Sequence, residues 1–100
     1  MAEWIYFIHP PREKFIETIT PEEAETMSVH RDHLASLLEA GTLVMAGPTF
    51  GDINTGVAVI EAEDEEAALA IVNSDPAVTS GLMRPELRQM RVTFLRGREA

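Results

Sequence analysis

The alternation of hydrophobic and polar positions predicts four β-strands along the chain. Residues 4–8 are aromatic or β-branched on both faces, which is typical of a central strand. Two more strands are predicted at residues 42–46 and 56–62, and the Gly/Asn/Asp-rich turn between them favours a hairpin. Residues 87–95 alternate apolar and polar side chains and are predicted to form the fourth strand. Residues 10–19, which begin with two prolines, are expected to form a surface loop with apolar anchors.

A long amphipathic helix is predicted between the first two strands. Thr20 is its expected N-terminal cap, Pro21 takes the first helical position, and Glu23 completes a capping box. The apolar stripe continues to Ala40, and Gly41 follows as the expected C-terminal cap.

A second, shorter helix is predicted from Glu65 to about Ser74. Asp64 is its expected cap, and Asp75-Pro76 ends it because the residue before proline is disfavoured in helical geometry. The resulting order is βαββαβ in a single α+β domain over residues 1–100. Two helices can cover only one face of a four-stranded antiparallel sheet. The other face is therefore predicted to be buried in a sheet-to-sheet homodimer.

The charge balance narrows the range of partners. The chain has 8 basic and 17 acidic residues, a formal net charge of -9, which argues against nucleic acids and anionic membranes. It has no cysteine, which excludes thiol nucleophiles and disulfides. It has neither an apolar run of the roughly 20 residues that a membrane span requires nor a signal-peptide pattern at its start. A cytoplasmic location is therefore expected.

His30 is the residue most suggestive of chemistry, because it interrupts the apolar stripe between Met27 and Leu34. A buried imidazole needs a hydrogen-bond partner, and Asp75 is the obvious candidate. Such a pair could act as a general base with an orienting acid. On spacing alone a structural histidine is the more frequent explanation, so both interpretations stay open at this point.

Other polar and special residues give weaker signals. His33 follows His30 by three positions and could line the same rim or face solvent; a metal site is not expected, because the metalloprotease helix signature uses an i, i+4 pair. Gly47 and Pro48 end the second strand, where a glycine could let a ligand approach the backbone. Pro76, beside Asp75, is assigned to the same predicted substrate pocket. Neither a serine elbow nor a phosphate-binding glycine loop is present, and no cofactor is expected.

Taken in order, these residues resemble the YciI-like (YCII-related) family of small bacterial proteins. The resemblance is carried by His30, Leu34, Leu38-Glu39-Ala40-Gly41, Leu43, Met45-Ala46-Gly47-Pro48, Gly56, Ala67 and Asp75-Pro76. It implies a ferredoxin-like fold that dimerises sheet to sheet into an α/β barrel. It also implies a pocket with a His–Asp dyad, in which His30 rather than His33 matches the family histidine and Asp75 matches the aspartate.

The resemblance also suggests a reaction class, since one branch of the family resembles a dehydrochlorinase acting on chlorinated hydroquinones. The protein is predicted to be a homodimer that binds a small molecule and catalyses acid/base elimination or isomerisation. His30 would transfer the proton and Asp75 would orient it. Two alternatives are a non-catalytic metabolite-binding or accessory domain and a cofactor-free oxygenase.

Overall fold

A computed structural model describes residues 1–98 of the chain. Within these residues the sheet has four strands, and the helices include two short ones that the sequence pattern did not predict. The elements are β1 (Ala2–His9), α1 (Phe15–Thr18), α2 (Pro21–Glu39), β2 (Leu43–Pro48), β3 (Gly56–Ala62), α3 (Glu65–Val72), α4 (Pro76–Thr79) and β4 (Arg84–Met90).

The four strands form one antiparallel sheet in the order β2-β3-β1-β4. The predicted hairpin of β2 and β3 is present, and β1 lies in the centre of the sheet, as its two apolar faces indicated. Tyr6 of β1 stands opposite Ala58 of β3 on one side and Leu87 of β4 on the other. The fold is the predicted α+β, ferredoxin-like arrangement.

The hydrophobic core lies between one face of this sheet and the helices. Because alternate side chains of a strand point to the same face, Trp4, Tyr6 and Ile8 all point into the core. The other buried members of the core are Phe15, Leu43, Ala58, Ile60, Ala62, Ala68, Val72, Ala77 and Met83. His30 is the buried residue of α2 and therefore sits at the junction between this helix and the sheet.

The N-terminal caps of the two main helices form as predicted, whereas α2 ends one residue early, with Ala40 rather than Gly41 as its C-terminal cap. The Thr20 hydroxyl accepts a hydrogen bond from the Glu23 N–H, and the Glu23 carboxylate accepts one from the Thr20 N–H. The Asp64 carboxylate accepts a hydrogen bond from the Ala67 N–H at the start of α3. These contacts satisfy backbone donors that the first turn of a helix leaves unpaired. The capping box therefore fixes where α2 begins, directly after the segment of residues 10–19.

Strand β4 occupies residues 84–90 rather than the predicted 87–95. The ladder ends there because Met90 pairs with Glu3, only one residue from the start of β1. Beyond that point the Glu3 carboxylate accepts the Val92 N–H at 2.8 Å. The alternating pattern continues past Met90, but β1 has no backbone left with which residues 93–95 could pair.

The face of the sheet opposite the core is apolar at its centre. Ile5 and Phe7 of β1 and Val57 and Val59 of β3 alternate with the core residues and so point to this face. His9 stacks on Phe7 near its end, with ring centroids 6.2 Å apart. Among residues 1–98, no helix is long and apolar enough to cross a membrane.

Candidate active site

A cavity of about 480 Å³ opens between α2, the sheet and the two loops that follow β1 and β2. Its wall is mostly apolar and comes from several parts of the chain, for example Ile8, Phe15, Met27, Leu34, Ala46 and Ala58. Pockets of this size and character are the usual binding places of small organic molecules. The polar groups on its wall are few, and each one therefore has a strong influence on what can bind.

His30 lies on the wall of this cavity and contacts Asp75. The distance between His30 Nδ1 and Asp75 Oδ1 is 2.6 Å. The Asp75 side chain is entirely buried, and the His30 residue is 9% exposed. The contact joins two residues that are 45 positions apart in the chain, one in the middle of α2 and one at the cap of α4. The carboxylate thus lies behind the imidazole rather than in the cavity itself.

Asp75 accepts hydrogen bonds from three donors. Besides His30, the Ala77 N–H donates to Oδ1 at 2.9 Å and the Tyr6 hydroxyl donates to Oδ2 at 2.9 Å. Burial alone would raise the pKa of Asp75, but the hydrogen bond from His30, with those from Ala77 and Tyr6, holds that pKa below its ordinary value. Asp75 is therefore ionised at neutral pH.

Because Asp75 is ionised, it determines which ring nitrogen of His30 is protonated and which keeps a free lone pair. A carboxylate can only accept hydrogen bonds, so Nδ1 of His30 must carry a proton and donate it to Asp75. In the neutral ring Nε2 is then unprotonated and acts as an acceptor. It is this nitrogen that is available to a molecule in the cavity.

Tyr6 is a member of the site that sequence reasoning did not identify. It is 1% exposed, and it lines the cavity as well as contacting Asp75. Burial, together with the nearby charge of Asp75 and the hydrogen bond to it, raises the pKa of Tyr6 far above its ordinary value. The hydroxyl therefore keeps its proton and donates it. The signal in the sequence was a tyrosine at a core-facing strand position, where its hydroxyl must find a partner.

The matching family model is described as the YCII-related domain and covers residues 4–91. This chain belongs to the YCII-related family. No curated protein matches the sequence. The solved structure of 5-chloro-2-hydroxyhydroquinone dehydrochlorinase (TftG) from Burkholderia phenoliruptrix AC1100, in complex with 2,5-dihydroxybenzoquinone, is similar. The two chains are 20% identical over 91% of this chain and 94% of that chain, with a TM-score of 0.67, and the likeness shows the fold.

In this YCII-related domain one wall of the cavity is built by the segment before α2. Residues 10–19, predicted as a loop, contain the short helix α1, whose Phe15 is buried. The Ile16 N–H donates to Asn54 Oδ1 at 3.0 Å, and Asn54 Nδ2 donates to the carbonyls of Thr49 and Gly51. Asn54, which sequence reasoning also missed, therefore joins this wall to the turn after β2.

Arg12 holds the same segment against the first turn of α2. Its guanidinium donates to both carboxylate oxygens of Glu23, at 2.7 and 2.8 Å, and to the hydroxyl and carbonyl of Thr18. The hydrogen bond from Arg12 is the main cause that lowers the pKa of Glu23 to about 2. Glu23 thus serves both as a helix cap and as an anchor for the cavity wall.

The structure separates the other predicted site residues into two groups. Gly47 and Pro48 line the cavity, as His30 does. His33 and Pro76 do not line it, and their assignment to substrate binding stays a prediction that this geometry does not favour. His33 Nε2 is buried without a hydrogen-bond partner among residues 1–98. Pro76 takes the first position of α4, so Asp75 caps a helix that the sequence pattern did not predict.

Proposed function

We propose that this protein is a cytoplasmic enzyme that transfers a proton to and from a small molecule, with His30 as general base and acid. Asp75 orients the imidazole and stabilises its protonated form. The observation that carries the proposal is the 2.6 Å contact between His30 Nδ1 and a wholly buried Asp75 at the wall of an otherwise apolar cavity. Titratable groups with shifted pKa values, here Asp75 and Tyr6, beside a cavity of ligand size are a recognised mark of acid/base sites.

The reaction would begin when Nε2 of neutral His30 accepts a proton from an acidic C–H or O–H of the bound molecule. In an elimination, the electron pair released in this step forms a new double bond while the leaving group departs as an anion. In an isomerisation, the same imidazolium returns its proton to a different atom. Asp75 would lower the cost of forming the imidazolium, because its negative charge lies directly against the ring. No cofactor is needed for these steps.

The likeness to a dehydrochlorinase supports elimination as the first chemistry to test. That neighbour shares the fold at 20% identity, so it supports a choice of assay and not a choice of substrate. The cavity of about 480 Å³ has room for a substituted aromatic ring. Small ring compounds with an acidic hydrogen and a leaving group are therefore the proposed substrate class.

We also propose that the protein works as a homodimer joined through the face of the sheet opposite the core. Ile5 and Phe7 would otherwise leave apolar surface in contact with water, and a second copy would bury it. Light scattering at micromolar concentration should give twice the mass of the chain. Phe7→Glu should give the monomer mass, whereas Phe94→Glu, which alters an exposed ring outside the sheet, should not.

The enzyme proposal is tested by measuring chloride release from chlorinated hydroxyquinols, including 5-chloro-2-hydroxyhydroquinone. His30→Gln should lower any turnover by roughly 10²–10⁴-fold, the usual contribution of a general base. His33→Gln is the matched control, because it makes the same change on the same helix outside the cavity. Near-normal turnover in His30→Gln would contradict the assignment. Tight binding of such compounds without turnover would favour the metabolite-binding alternative instead.

A further inference from the structure

Arg31 is a cationic side chain on the wall of the cavity that the proposed proton transfer does not use. It follows His30 on α2, and although it is exposed it lines the cavity, so it lies at the open margin. Arg12 and Arg98, by contrast, are paired with Glu23 and Glu3. Among residues 1–98, no carboxylate lies within ion-pair distance of the Arg31 guanidinium.

The position of this charge is unusual for so acidic a chain. The sequence has 17 acidic residues against 8 basic ones, yet the described residues that line the cavity include no aspartate or glutamate. Apart from His30, Arg31 is the ionisable basic group among them. Arg31 therefore offers a bound anion a positive charge at the margin of the cavity.

We propose that Arg31 is a substrate-binding residue that holds a delocalised oxyanion, either a carboxylate or the ionised oxygen of an acidic enol or phenol. The proposal rests on the proposed function and adds a substrate class to it. A guanidinium presents a planar set of donors that matches two oxygens of such a group. The apolar body of the ligand would then lie deeper, against Ile8, Met27 and Leu34, which line the same cavity.

This placement would also assist the reaction. His30 and Arg31 both line the cavity, so an anionic group held by Arg31 would present the adjoining ring atoms to His30. Removing a proton from a conjugated ring increases the negative charge on its oxygens. A guanidinium already in contact with those oxygens stabilises that charge without further rearrangement.

The test compares two probes of the same shape, 2,5-dihydroxybenzoate and 2,5-dihydroxybenzamide, by calorimetry with the full-length protein at neutral pH. The benzoate should bind roughly tenfold more tightly than the amide, as expected for one charge-assisted contact. Arg31→Gln should remove this preference by weakening the benzoate alone. Arg96→Gln, which makes the same change at an exposed site outside the cavity, should keep it. A third probe, 2,5-dihydroxybenzoquinone, carries an ionised enol in place of the carboxylate. Whichever of the benzoate and the benzoquinone loses more affinity in Arg31→Gln is the kind of oxyanion that Arg31 prefers.

Equal affinity for the two benzoyl probes, a preference that survives in Arg31→Gln, or no binding of the benzoate at millimolar concentration would each overturn the proposal. The same probes separate it from the proposed enzyme activity. His30→Gln should keep the Arg31-dependent preference while losing turnover. A preference for the anion with no turnover of any substrate would contradict the enzyme proposal alone. Turnover that needs His30 but favours neutral substrates would contradict the role of Arg31 alone.

Discussion

The Tyr6 hydroxyl donates a 2.9 Å hydrogen bond to Oδ2 of Asp75, the carboxylate oxygen that His30 does not contact. Tyr6 comes from the central strand and Asp75 from the cap of α4, so the bond joins the sheet to the segment after α3. Both side chains are buried, and neither can find another partner in water. Tyr6 therefore fixes the carboxylate in the orientation that His30 requires.

Tyr6→Phe removes this hydroxyl and leaves the ring in place. Because one oxygen of a buried carboxylate then lacks its donor, we expect the free energy of unfolding to fall by about 1–3 kcal/mol. Urea unfolding measures this loss directly. If Tyr6 positions Asp75, any turnover should also fall with a changed pH profile, whereas a purely structural role would leave that profile unaltered. An unfolding free energy equal to that of the wild type would contradict the importance of this contact.

The pKa shifts of Asp75 and Tyr6 predict how stability depends on pH. The pKa of Asp75 is lower in the folded protein than in the unfolded chain, where it is about 3.9. Its contribution is therefore complete above that value and is lost as pH falls through the folded pKa. The pKa of Tyr6 is raised, so its contribution is complete below about 10 and is lost as pH rises beyond it.

Unfolding curves of the wild type and two variants should separate these effects. Asp75→Asn should be less stable at neutral pH and should lose less additional stability than the wild type below about pH 4. Tyr6→Phe should flatten the alkaline side of the curve in the same way. Parallel curves for wild type and Asp75→Asn across the acid range would show that the folded and unfolded pKa values of Asp75 are the same.

The sequence pattern could predict the sheet and the two main helices, and it offered Asp75 as a candidate partner of His30 without showing that the two touch. These depend on periodicity, caps and one ionisable residue on an apolar stripe, all of which are local features. Tyr6 and Asn54 could not be found in this way, because their roles depend on which distant backbone or carboxylate each one meets. The predicted end of β4 was wrong for a related reason. A strand stops where its neighbour stops, and that depends on register.

Arg12 and Glu23 provide a test of the cavity wall. In Arg12→Gln the main hydrogen bond that lowers the pKa of Glu23 is lost, so this pKa should rise from about 2 toward its ordinary value. NMR titration of the Glu23 carboxyl carbon measures the change. Amide exchange in α1 should also become faster, because Arg12 no longer holds Thr18. Lys14→Gln, which removes an exposed ion pair with Asp52, is the control and should leave the pKa of Glu23 unchanged.

Substitution by alanine should have different effects on stability at two glycines of the cavity wall. A Cβ added at Gly56 would lie 2.7 Å from Ile8 Cγ1, and Ile8 is 4% exposed, so it has little room to move. Gly56→Ala should therefore destabilise the protein by about 1–3 kcal/mol, the usual cost of overpacking a core. A Cβ added at Gly47 meets no heavy atom within 4 Å, so Gly47→Ala should change stability by less than about 0.5 kcal/mol.

The two variants also provide a control for binding. Gly47 pairs with Val57 on the face of the sheet opposite the core, so its added methyl group should leave both the binding of an aromatic probe in the cavity and the unfolding midpoint in place. Thermal unfolding of both proteins, with and without the probe, gives the two quantities in one experiment. An equal loss of stability in both variants would mean that the close approach of Gly56 to Ile8 does not determine the packing of β1 against β3.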